Sequence, residues 1–193
     1  MTVLGLDGAL GGFSASIAAD DAVAATISIA GNVALEAGLG AVRELLDGSE
    51  RVPSQFDRIA VGIGPGSFTG LRITIAYAKS LAQAWRMPLA GISSFDALEF
   101  GSHEERALTV IVGRPGIISA RYREGAAARR DSGKASEVLA QILPPVDETP
   151  LTVFGAPEDV FAYLAEAGFI VKPLGPLISP PAAAIALAGA RAR

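Results

Sequence analysis

Residue types and spacing come closest to chemistry in the stretch Gly64-Pro65-Gly66-Ser67-Phe68-Thr69-Gly70-Leu71-Arg72. Three glycines and a proline make a preformed turn that other backbone or a ligand can approach closely, and Ser67 or Thr69 can cap a helix behind it. Two readings follow. A helix N-terminus offers N–H donors and partial positive charge, which suits an anion or phosphate; the same residues also make a purely structural turn and cap. The string lacks the Gly-Lys-Ser/Thr ending of a nucleotide P-loop, and Lys79 lies more than two helical turns downstream. Ser67 and Thr69 are hydroxyl nucleophiles only if a base stands near them. The single histidine, His103, sits in a polar Ser-His-Glu-Glu stretch and reads as an exposed side chain, so hydrolysis is not expected.

Asp7, at the head of the glycine-rich turn Gly8–Gly12, is the second chemical candidate. One carboxylate seldom suffices for a magnesium–nucleotide site, so a structural or vestigial role stands beside a magnesium or phosphate role. Composition removes more. With no Cys and one His there is no thiolate zinc, iron–sulfur or cysteine chemistry and no two-His metal site; no metal is expected. The 193 residues carry a net charge of −4, all of the excess falling within residues 1–103. Half are apolar, and the mean hydropathy is +0.41. No apolar run reaches the roughly 18–20 residues of a spanning helix, and the N-terminus lacks a basic start. A soluble, cytoplasmic protein without membrane attachment is expected.

Several elements must position these residues. Val3–Asp7, Phe13–Ala19 and Val23–Ile29 read as strands of an antiparallel meander. From Asn32 as N-cap, Leu35, Leu39, Val42 and Leu46 recur at helical spacing up to Gly48. Ile59–Ile63 reads as a buried strand, Gly64–Gly70 as a loop, and Leu71–Arg86 as a helix ended by Pro88. Leu89–Ile92 is a further strand, and Ser93 or Ser94 caps a short helix through Phe100. In the second half, Leu108–Val112 and Ile117–Arg123 form a hairpin around a type II turn at Arg114-Pro115-Gly116-Ile117. A helix at Ser136–Leu143, a strand at Leu151–Phe154, a helix at Pro157–Ala167, a strand at Phe169–Lys172 and a helix at Pro180–Ala192 complete the chain. The expectation is an α/β (α+β) protein of two lobes, 1–103 and 104–193, with the last helix packing back on the first lobe.

As a literal string, Gly64–Arg72, together with Ala78-Lys79, Leu81-Ala82 and the opening Leu6-Asp7 hairpin, resembles the TsaB (YeaZ) family of bacterial tRNA threonylcarbamoyladenosine biosynthesis proteins. The likeness is strongest over residues 3–98. It implies the two-lobed fold of actin, Hsp70 and sugar kinases, with a degenerate second lobe. It also implies a non-catalytic partner of TsaD, the paralogue that transfers threonylcarbamoyl to adenosine 37 of tRNAs reading ANN codons. Such a subunit pairs with TsaD through the first lobe's helices, or with a second copy as a homodimer, and assembles with the ATPase TsaE. It meets tRNA only through the complex, which uses ATP and magnesium; the isolated subunit needs no cofactor and has no catalytic residues. The catalytic relative's His-x-x-x-His metal site cannot be built from one His. Asp7 matches the acid of the superfamily's first phosphate loop, but Gly8 and Ala9 replace its usual hydroxyl residues, which makes Asp7 a vestigial nucleotide position. The family's Asp-Ala-Arg-x-x-Glu-Val-Tyr-like hairpin corresponds to Val112–Ser119, where only Arg114 survives. The other function class left open is a nucleotide-binding enzyme of the actin-like superfamily with residual ATPase or acyl-transfer activity.

The helix after the loop is apolar on nearly all sides, so a thick core and a partner interface are both open to it. With the family resemblance, the expected interface comprises Leu35, Ala37, Gly38, Ala41 and Val42 of the first helix with Ile73, Ala76, Tyr77, Ser80 and Ala84 of the second. The basic segment Arg106–Lys134, with Tyr122 between Arg121 and Arg123, reads either as a solvated face or as a contact for tRNA phosphates.

Overall fold

A computed structural model describes residues 1–31, 34–176, 178–179 and 181–192. The chain divides into two compact units, Met1–Phe100 with Ile178–Arg193, and Gly101–Leu177. The last helix therefore belongs to the first unit, and the boundary falls after Phe100.

In the first unit, β1 (Thr2–Asp7), β2 (Phe13–Ala19) and β3 (Ala22–Ile29) form the meander, and β4 (Arg58–Gly62) and β5 (Leu89–Ile92) extend the sheet in the order β3-β2-β1-β4-β5. The β1–β2 and β2–β3 pairs are antiparallel, whereas β1–β4 and β4–β5 are parallel. Side chains alternate between faces along each strand. Leu4 and Leu6 of β1 join Phe13, Ile17 and Val61 in a core with Ala41, Val42 and Leu45 of α1 (Gly38–Gly48) and Ala78 and Ala82 of α2 (Phe68–Trp85). Val3 and Ala60 face the other way, onto α6 (Pro181–Arg191). The alanine-rich composition of α6 serves close approach: a Cβ on Gly5 would strike Ala182 and Ala186, and one on Gly189 would strike Ala60. Arg58 donates through Nη1 to the carbonyls of Gly189 and Ala192, at 2.8 and 2.5 Å. A cation thus sits at the negative end of α6. The short α3 (Ser94–Leu98) completes this unit, capped by Ser93, whose Oγ accepts from the Phe95 amide.

The second unit repeats the topology. Its strands β6 (Arg106–Arg114), β7 (Ile117–Glu124), β8 (Ala127–Lys134), β9 (Leu151–Phe154) and β10 (Val171–Leu174) lie in the order β10-β9-β6-β7-β8, with two antiparallel and two parallel pairings. Helices α4 (Ala135–Ile142) and α5 (Glu158–Glu166) cover a core of Leu108, Val110, Tyr122, Leu139, Val153 and Leu164.

Three expectations about elements need correction. β8 was not expected at all; its Ala-Ala-Arg-Arg-Asp-Ser-Gly-Lys sequence lies on a sheet edge and is mostly exposed, so it carries no apolar alternation. α2 starts at Phe68 rather than Leu71, because Ser67 caps it and Gly70 lies inside the first turn. α1 starts at Gly38, with turn backbone from Ala34 to Ala37, and the expected N-cap Asn32 lies outside the described residues.

Candidate docking face and the loop that sets it

The residues Gly64–Arg72 do two different jobs. The Gly64–Pro65 peptide is cis, and Gly64 and Gly66 have positive φ values of 87° and 155°. Gly66 lies against Ala9 and Gly70 against the Gly8 carbonyl, so closely that a Cβ at either position would overlap the backbone of the β1–β2 turn. The Ser67 amide donates to the Ala9 carbonyl at 2.9 Å. Ser67 Oγ accepts from the Gly70 amide at 3.2 Å, and the Ser67 carbonyl accepts from Leu71. The glycines thus serve close backbone packing, and the Ser67 and Gly70 amides are already engaged within the chain.

Phe68, Leu71 and Arg72, from the same string, turn outward. Phe68 is 72% exposed, and the Arg72 guanidinium lies 5.3 Å from its ring centroid. With Ile75, Ala76 and Lys79 they line a groove of about 410 Å³ running along α2. The spacing 68, 71/72, 75/76, 79 is one helical stripe. The opposite stripe, Gly70, Thr74, Ala78 and Ala82, is buried in the unit's own core.

Of the nominated interface residues, Ala37, Ala76, Ser80 and Ala84 are exposed. Gly38, Ala41 and Val42 are buried and pack within their own unit, which removes them from the expected interface. A Cβ on Gly38 would come within 3.0 Å of the Tyr77 and Phe13 rings. Tyr77 is also committed internally: its hydroxyl donates to the Leu35 carbonyl at 2.9 Å, and its ring meets Phe13 edge-on at 6.3 Å. Leu35 and Ile73 are half-buried. Ile75 is half-buried and both packs on the unit's core and lines the groove; Lys79, not nominated from sequence, also lines the groove. The signal was present in the i, i+3, i+4, i+7 spacing from Phe68, once that residue is counted as helical.

Asp7 is buried, facing the α6 side of the sheet. Its Oδ2 accepts from the amides of Ala9 and Leu10 at 3.2 and 3.1 Å. Its Oδ1 is buried without a hydrogen-bond partner, beside Gly62 and the Ile185 methyl. Burial pushes its carboxyl above the ordinary value, against the two backbone hydrogen bonds. Among the described residues no three His, Cys, Asp or Glu side chains gather in a way that could hold a metal ion. One carboxylate, with one oxygen already spent on two amides, is a small donor set for magnesium.

In the second unit the basic segment does not form one face. Arg106 is buried; it donates through Nε to the Tyr122 hydroxyl at 3.2 Å and through Nη1 to Asp147 and the Thr149 carbonyl. Tyr122 is buried as well and donates to Glu124 at 2.8 Å, so its ring is not open to stack on a base. Arg121 and Arg123 are half-buried, and Arg123 donates to the Glu104 carbonyl. Arg114, Arg129, Arg130 and Lys134 are exposed, as is His103. Among the described residues no helix is long and apolar enough to cross a membrane.

Comparison with known proteins adds family information to this geometry. The family described as TsaD, tRNA N6-adenosine threonylcarbamoyltransferase, matches residues 29–145, more than half of the chain. An uncharacterized Mycobacterium leprae protein is 30% identical over 161 residues, covering 81% of this chain and 43% of that protein. The tRNA threonylcarbamoyladenosine biosynthesis protein TsaB of Bacillus subtilis is 40% identical over 58 residues, 30% of this chain and 25% of TsaB. The chain thus spans less than half the length of these curated relatives. YeaZ from Pseudomonas aeruginosa superposes with a TM-score of 0.71 at 22% identity, over 98% of this chain and 90% of that one. An actin-like fold is shared with a ROK hexokinase from Thermus thermophilus at a TM-score of 0.54.

Proposed function

We propose, from the premise that this chain belongs to the TsaB (YeaZ) family of TsaD-type domains, that it is a non-catalytic scaffold subunit in the assembly that installs threonylcarbamoyl on adenosine 37 of tRNA. It docks a TsaD subunit on the outer face of α2, and the ATPase TsaE joins the pair. ATP and magnesium are used by the complex rather than held by this subunit, and tRNA is met through the assembly in the cytoplasm.

One observation carries the reading: the apolar groove beside Phe68, on a helix whose other side is already spent on its own core. An aromatic left mostly in water beside Leu71, Ile75 and Ala76 has the make-up of an interface anchor. Asp7 supports it from the other direction, since its oxygens are poorly placed for nucleotide chemistry.

The test is co-elution with TsaD. Ala76→Glu or Ser80→Glu places a carboxylate on the exposed stripe, where it cannot disturb the core. Loss of pairing with an unchanged unfolding midpoint is the expected result. Undiminished pairing by the folded variants overturns the docking face.

A further inference from the structure

We infer that Asp7 is a positioning residue for the α2 docking face: its carboxylate fixes the β1–β2 turn, and that turn holds the first turn of α2. The inference rests on the docking reading only for its functional consequence. The mechanical link is local and can be measured without a partner.

The link is short. Asp7 Oδ2 takes both the Ala9 and Leu10 amides, which closes the turn after β1, as Asp and Asn side chains do when they bond backbone two residues on. The carbonyl of Ala9 then receives the Ser67 amide at 2.9 Å. Ser67 caps α2 through Gly70 and Leu71. Gly66 and Gly70 leave no space for the turn to shift without displacing the helix start. Phe68, Leu71 and Arg72, the upper end of the groove, lie within that same turn of helix.

A second feature points to the same role. Thr74 Oγ1, from α2, is buried beside Gly8 without a hydrogen-bond partner, and a Cβ on Gly8 would overlap it. The helix therefore meets the turn at two levels, Gly70 and Thr74, one helical turn apart. Around Asp7 itself stand Gly62 of β4, Ile185 of α6 and its cross-strand neighbour Ser14 of β2, none of them a cation. What the position uses is an acceptor oxygen, not a charge pair.

That distinction supplies the experiment. Asp7→Asn keeps an acceptor oxygen and loses the charge, whereas Asp7→Ala loses both. In the full chain, Asp7→Ala is expected to speed amide exchange at Ser67, Gly70 and Leu71 at least tenfold while leaving β6 and β7 unchanged, and to weaken TsaD binding at least tenfold. Asp7→Asn is expected to restore exchange and affinity to within about threefold of the original. If Asp7→Ala does not fold, Asp7→Ser, with one oxygen on a shorter arm, takes its place and should be slower to exchange than a free turn but faster than Asp7→Asn. Unchanged exchange in Asp7→Ala or Asp7→Ser overturns the inference, and so does an Asp7→Asn variant as impaired as either. Should the unmodified chain fail to bind TsaD, the docking reading falls while the exchange result still decides the role of Asp7.

Discussion

Replacing Gly70 by alanine separates two views of the loop by the sign of a stability change. A glycine inside an exposed helix costs about 0.5–1 kcal/mol relative to alanine, so a glycine with no packing duty would make Gly70→Ala stabilising by that amount. Gly70, however, lies against the Gly8 carbonyl, and a Cβ there would also be 3.3 Å from the Ser67 Cβ. Relieving that overlap means moving α2 off the β1–β2 turn. Overpacking of this kind costs about 1–3 kcal/mol, and the shift also pulls the Gly70 amide from its cap on Ser67 Oγ, worth about 1 kcal/mol. Set against the helix-propensity gain, the net loss is about 1–3 kcal/mol, roughly a fivefold to 150-fold fall in the folding constant. Urea titration followed by circular dichroism should show it as a lower midpoint at unchanged slope. Gly40 of α1 provides the control, because a Cβ there has nothing within 4 Å; Gly40→Ala should stabilise by about 0.5–1 kcal/mol. A Gly70→Ala protein as stable as Gly40→Ala would refute the clasp between loop and hairpin.

Three other outcomes are expected. Phe68→Ala, at a side chain 72% exposed, should change stability by less than about 0.5 kcal/mol yet weaken TsaD binding by about 2 kcal/mol, roughly thirtyfold, in a calorimetric titration. For Asp7, whose carboxyl is pushed above its ordinary 3.8 by burial, the folded state favours the protonated form; its contribution is fully present below that pH and is lost as pH rises through the folded value. Asp7→Asn should therefore gain on the parent protein as pH climbs from 3 to 7, and parallel stability curves would contradict this. The second unit has the opposite sign: the Lys172 ammonium lowers Glu104, and the Arg106 guanidinium lowers Asp147. Their contribution is present above pH 4.5 and 3.8 respectively and fades as pH falls through the depressed values. Glu104→Gln, which removes the carboxylate held by Lys172 and Thr152, should flatten that acid limb in urea titrations followed by circular dichroism at a series of pH values.

Elements with a two-sided burial pattern were legible from sequence. β2 and β9 begin and end where apolar runs and turn residues place them, because each is paired on both sides and buried on both faces. β8 was invisible because it is an edge strand whose register is set by β7, through partners such as Arg121 with Arg130 and Tyr122 with Arg129, rather than by its own hydrophobicity. On α2, the sequence shows that the helix is apolar on nearly all sides but not which stripe meets the sheet. That choice depends on the helix rotation, which Gly70 and Thr74 fix against the hairpin, and those contacts span more than sixty positions of sequence. The nominated residues of α1 failed for the same reason: Ala41 and Val42 are small and apolar, as an interface requires, and their burial is decided by β-strands far away in the chain.

The second unit acts as an internal control on the docking reading. Both units have the same strand order, and α5 follows β9 as α2 follows β4. α5 has 9 residues and starts after the short Gly155-Ala156-Pro157 connection, with Glu158 and Asp159 in its first turn. α2 has 18 residues, with no acid in its first turn, and starts after the glycine loop that clasps the hairpin. A helix needed only to cover five strands can be as short as α5 and carry charge on its outer side. The extra length of α2, the loop that sets its rotation and the apolar stripe along its outer face are what the shared topology does not require. The loop is accounted for by its clasp on the hairpin; the extra length and the exposed outer stripe are explained together if that stripe meets another protein.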